Sequence, residues 1–141
     1  MDAALWGLNG VFVSAQALIY TALLVWPPGI DLRSTIDRFE LWQGSGILAM
    51  QVFFAVPLMS ALIWQTRAHR QTMFLVSLSF LATGLLGAAA WLEMGMISGA
   101  VRDGINEPDL LRGVALLRWG EFATALAAAI TLRLAWVARS L

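Results

Sequence analysis

The chain has no cysteine and no lysine, one histidine and four prolines. Without cysteine there is no disulfide, thiolate nucleophile, iron–sulfur cluster or cysteine-ligated zinc. The single histidine, His69, stands between Arg67 and Arg70 with no second histidine to complete a metal or haem site, and reads as a solvated loop residue. Nine arginines carry all the positive charge and nine acids balance them, so no basic patch or tail points to nucleic acid. A Ser/His/Asp arrangement, a glycine-rich phosphate loop and a carboxylate pair at hydrolase spacing are missing as well. The usual catalytic parts do not assemble.

Charge of either sign is scarce. Charged residues make up 13% of the 141 residues and hydrophobic ones 60%, against about a quarter and about half in soluble domains. That composition is a membrane protein's, and its first partner is the lipid bilayer. A spanning helix takes about 20 apolar residues, and four such runs with short connections use nearly the whole chain. The expected fold is therefore an all-α four-transmembrane-helix bundle with antiparallel up-down topology and short loops. It forms a single polytopic domain over 1–141, with helices at about 4–26, 41–65, 72–97 and 110–137. The opening Met-Asp-Ala-Ala-Leu-Trp has no basic segment, so the first run reads as a spanning helix rather than a signal peptide.

Trp6 and Trp26 are about 30 Å apart along a helix, the thickness of the hydrocarbon core, and are expected to anchor the first helix at both interfaces. Trp42 and Trp64 stand in the same relation on the second. Pro27-Pro28-Gly29 stops the first helix. The mixed charged and apolar residues of 30–40 suit an interfacial turn. Pro57 is expected to kink the second helix by releasing the carbonyl of Phe53. Ser79, Thr83 and Gly87 of the third helix, with Gly84 and Ala88 beside them, offer a small-residue surface. Thr124, Ala125, Ala128 and Ala129 of the fourth match it, so these two should pack tightly. Pro108 suits the first turn of the fourth helix.

Two polar groupings stand out. Arg118 and Glu121 lie inside the fourth run, and Glu93 ends the third at the same face, so the three are expected to converge near the outer interface. Ionisable groups within a span are costly and mark binding or transport sites. The plainer expectation is that Arg118 snorkels to the headgroups and pairs with Glu121 one helical turn away. The second grouping is Asn9, Gln16 and Tyr20 on one face of the first helix, with Gln51 level with Gln16 on the second. A Gln16–Gln51 hydrogen bond would contribute roughly 0.6 to 2 kcal/mol. The layer would line a solute path or hold a quinone or pigment head, or simply join helices. Met94 and Met96 without a cysteine make a poor copper site, and no pattern names a metal or a cofactor.

Arginines divide evenly between the two sides of a four-span chain. Arg67, Arg70, Arg133 and Arg139 have no acid beside them, which favours both termini in the cytoplasm. Three functions are compatible with these residues. The first is a non-catalytic subunit or accessory protein of a larger membrane complex, held by helix packing with other subunits or by self-association. The second is a transporter or channel for a small solute, ion or proton, using Glu121 with Arg118. The third is an enzyme acting on a lipid or a quinone.

Overall fold

In hydrocarbon a backbone has only itself to hydrogen-bond with, so long apolar runs of this kind fold as helices. The computed structural model describes residues 2–25, 49–103 and 107–140. Apart from the turn at 66–69 and the terminal Ser140, these are helical throughout, with no strand among them. Helix α1 is Asp2–Val25. Helix α2 covers 49–65 and joins a π-helical turn, Gln51–Ala55, to the α-helical Val56–Gln65. Helices α3 and α4 are Arg70–Asp103 and Glu107–Arg139. Three helices are long and apolar enough to cross a membrane, over Ala3–Ala22, Arg70–Met96 and Arg112–Arg139, and Gln51–Gln65 is a shorter apolar helix. The stop at Pro27-Pro28, the 30–40 connection and the start of the second helix with Trp42 lie outside the described residues, as do the side chains of the polar stretch 102–109.

Helices α3 and α4 run past their expected ends at 97 and 110. At 34 and 33 residues each is about 50 Å long, well beyond the about 30 Å of hydrocarbon. The backbone bonds of a helix do not depend on the medium, so the helix continues through its polar ends. Pro108 falls in the first turn of α4, where its missing N–H leaves no bond unmade.

The small-residue surfaces meet. Ser79 Oγ of α3 donates to the Ala128 carbonyl of α4 at 2.7 Å, and Thr83 and Gly87 are buried while Gly84 and Ala88 face outward. Further along the same two helices, Glu93 reaches Arg118 and Met96 Cε lies 3.1 Å from where a Cβ on Gly113 would stand. The partners ascend on α3 as they descend on α4, so these two helices are antiparallel. Helix α1 lies along α4 in the same sense, with Trp6 on Trp136 at one end and Tyr20 packed with Ala125 further along. Helix α2 joins α1 through Asn9, whose Nδ2 donates to the carbonyls of Leu5 at 2.9 Å and Leu58 at 3.1 Å.

Pro57 is accommodated by a π turn rather than by a simple kink. The Val56 N–H donates to the Gln51 carbonyl five residues back, and Pro57 then stands in the first turn of the following α segment. The wider turn takes up the bond that Pro57 cannot make and the room its ring needs.

Polarity is distributed inside out. Leu18, Phe53, Phe74, Leu85, Leu116 and Leu134 are exposed, while Asn9, Gln16, Gln51, Ser79, Thr83, Glu93 and Glu121 are buried. A surface this apolar matches lipid rather than water. Trp6 departs from its expected place at the interface: it is 5% exposed and packs edge to face on Trp136, ring centroids 5.4 Å apart. Trp64 is exposed as an anchor should be, with the Arg67 guanidinium 4.1 Å from its ring centre.

Candidate functional site

The end of the bundle away from Trp6 and Trp136 holds the buried carboxylates. Glu93, on the buried face of α3, is 0% exposed, and so is Glu121 on the buried face of α4. Arg118, one turn before Glu121, is 8% exposed. Its Nε donates to Glu93 Oε1 at 3.3 Å, forming an ion pair between helices. Arg118 therefore points inward, against the expectation of a snorkelling side chain. The inward route ends on a carboxylate in a low-dielectric interior, where the attraction exceeds what water at the interface offers.

Glu121 is the exceptional group. Among the described residues neither of its carboxylate oxygens has a hydrogen-bond partner, nor does Glu93 Oε2. The expected ion pair within α4 is thus replaced by one to α3. The Glu93 and Glu121 carboxyl groups lie within electrostatic range of each other, and Arg118 acts on both through space. Two ionised carboxylates have no proton with which to bond, so their approach becomes favourable only when one of them carries a proton or a cation lies between them.

Tyr20 joins this cluster. Its ring packs with Leu86, Ala90 and Ala125, its hydroxyl has no protein partner, and Glu93 and Glu121 are both within electrostatic range of it. Gln16 is one turn from Tyr20, about 6 Å along the axis, and is buried with neither amide atom hydrogen-bonded. The expected Gln16–Gln51 bond is therefore absent. Gln51 instead lies over Gly87, its Cγ 3.4 Å from where a Cβ there would stand, and its Nε2 is also unpartnered. Gly87 is about 9 Å below Glu93 along α3. Asn9 sits lower still and serves as the bridge between α1 and α2.

The two polar groupings of the sequence are thus consecutive levels of one interior. The unpartnered atoms of Gln16, Gln51, Tyr20, Glu93 and Glu121 fall within it. Buried polar atoms are normally satisfied by protein or ordered water, so these atoms call for water, an ion or a functional role in this interior. Counting equal rises from Trp6 and Trp136 sets Tyr20 level with Glu121. That register was not available before the Trp6–Trp136 contact was known. Among the described residues no group of three His, Cys, Asp or Glu has metal-binding geometry. Compared with models of known families, with curated proteins and with solved structures, the chain matches none.

Proposed function

We propose that the chain is a multi-pass integral membrane protein, a four-span antiparallel bundle forming one domain, that binds and moves a proton or a small cationic solute at Glu121 with Glu93, Arg118 and Tyr20. The observation that carries this reading is the complete burial of Glu121 with neither oxygen bonded to any of the described residues. One guanidinium balances one of the two carboxylates, and the remaining negative charge is too costly to leave bare in a low-dielectric interior. A proton or a cation supplies the balance. Gln16 and Gln51 extend the polar interior from the carboxylates toward the opposite face. Helix α2 contributes the π turn, an element that recurs at functional sites. In four spans both termini share a face with the 66–69 turn, and the acid-free arginines Arg67, Arg70, Arg133 and Arg139 assign that face to the cytoplasm.

Proteoliposomes enclosing a pH-sensitive dye test the proposal. Under an imposed potential the native protein is expected to acidify the lumen, with a sodium or potassium gradient supplied separately to distinguish proton from cation. Glu121→Gln keeps the side chain's shape and is expected to abolish the flux. Equal flux from the native protein and Glu121→Gln would overturn it.

The accessory-subunit reading draws on a different feature. Gly120, Thr124, Ala127 and Thr131 recur at helical spacing along one edge of α4. Gly120 and Ala127 are exposed, and nothing lies within 4 Å of where a Cβ on Gly120 would stand. The two threonine hydroxyls bond their own helix, to the carbonyls of Gly120 and Ala127. Such an edge suits a helix of another subunit or a second copy. Native mass spectrometry after gentle solubilisation would show a stoichiometric partner that Ala127→Leu releases. An enzymatic role on a lipid or quinone has no separate observation behind it.

A further inference from the structure

At the end of the molecule opposite the carboxylates, an open groove of about 280 Å³ runs between α1 and α4. Its α1 wall includes the small residues Gly7, Gly10 and Ser14 beside Trp6 and Val13, and the α4 wall includes Ala129 and Leu132. Among the described residues nothing lies within 4 Å of where a Cβ on Gly7 or Gly10 would stand, so the described helices leave this groove open and their packing does not require it. Trp6 and Trp136, edge to face, stand at its arginine end.

Length and charge decide the occupant. From Ala3 to Ser14, both lining residues, α1 rises about 16 Å, half of the about 30 Å hydrocarbon core and so the depth of one leaflet. An acyl chain lying in that leaflet has this length and an apolar surface that matches the walls. Arg133 lines the groove. The Arg139 guanidinium is held on the aromatic pair at its mouth, 3.5 Å from the Trp136 ring centre and 5.9 Å from that of Trp6. Both acids with described side chains, Glu93 and Glu121, are at the other end of the bundle. The mouth of the groove therefore favours a negatively charged headgroup over a zwitterionic one.

We propose that this groove is a binding site for an anionic phospholipid, one acyl chain lying along Gly7 and Gly10 and the phosphate met by Arg133 and Arg139. It does not depend on the carboxylate site. The probes are phosphatidylglycerol and phosphatidylcholine of identical chains, titrated into the full-length protein in detergent and counted by native mass spectrometry. One phosphatidylglycerol is expected to be retained in preference to phosphatidylcholine. Each of Arg133→Gln and Arg139→Gln should reduce that preference about fivefold, the ratio equivalent to about 1 kcal/mol per arginine near an anionic surface. Arg67→Gln, whose guanidinium sits on Trp64 instead, should leave it unchanged. Gly10→Leu enters open space, so the helices keep their packing while the groove fills and both lipids are lost. Equal retention of the two lipids would overturn the site, as would a preference that survives loss of both arginines. A dimer that Gly10→Leu dissociates without change in lipid retention would equally overturn it, and would give the groove to a second copy of the chain. Phosphatidylglycerol retention is expected to be the same in Glu121→Gln, so this site and the transport reading stand or fall separately.

Discussion

Arg118 sits in the part of α4 expected to lie just below the headgroups, where a long cationic side chain ordinarily reaches outward, yet it turns inward to Glu93. The consequence is a stability that depends on the pair remaining intact. Removing one member of a buried ion pair leaves the other charged and uncompensated, at a cost of about 3–5 kcal/mol, whereas replacing both with neutral groups of similar volume is close to neutral. Arg118→Met is therefore expected to destabilise the protein by that amount in denaturant titrations in detergent. Arg118→Met combined with Glu93→Gln is expected to recover most of the loss. A single variant as stable as the native protein would mean that the charges are held by water and not by each other. Glu93, Arg118 and Glu121 were recognisable from sequence because charges within apolar runs are rare. Their pairing was not, since a side chain of Arg118's length reaches Glu121 on its own helix or Glu93 on the next, and only the approach of α3 to α4 selects between them.

At the scale of the element, α2 shows what one proline does to a helix that must also place a polar side chain. Pro57 removes a donor, and the π turn before it inserts an extra residue into the coil. That shifts every position before the turn around the axis relative to an uninterrupted α-helix. Gln51 comes to lie over Gly87 through this shift. Because the native chain lacks cysteine, the placement is directly testable. Gln51→Cys with Gly87→Cys is expected to form a disulfide readily under mild oxidation, given the close approach of these positions. Adding Pro57→Ala restores the missing donor, allows a regular α-helix and is expected to lower the cross-linking yield several-fold. An unchanged yield would show that packing on α3, not Pro57, holds the turn. The interruption at Pro57 was legible in the sequence. Its form was not, because a kink and a π turn both accommodate a missing N–H and differ only in how the neighbouring helices support them.

Across the described residues the outer surface is apolar, the interior joins a hydrophobic core to a set of buried polar groups, and the two ends differ in character. One end gathers Trp6, Trp136 and arginines, and the other the buried carboxylates. If four helices cross the bilayer, single cysteines replacing Ala3, His69 and Ser140 all label with an impermeant maleimide from the same face. On the proposed orientation that face is the cytoplasmic one, so the three are expected to react in inside-out vesicles and to be protected in intact cells. Labelling of His69→Cys from the face opposite to the other two would show that α2 does not cross.

Composition and run length by themselves determined the helical class and the membrane setting, because hydrocarbon leaves a backbone with no other way to satisfy its hydrogen bonds. The spacing of small residues likewise anticipated the close contact of α3 with α4, made at Ser79, whereas Gly87 of the same stripe meets Gln51 of α2 and Gly84 and Ala88 face outward. Only the tertiary structure decided that Trp6 is buried against Trp136, that Gln16 and Gln51 are not bonded to each other, and that Tyr20 shares a level with Glu121. Each of these depends on the axial offset between helices distant in sequence. That offset is set by the packing of many side chains together, and no local pattern encodes it.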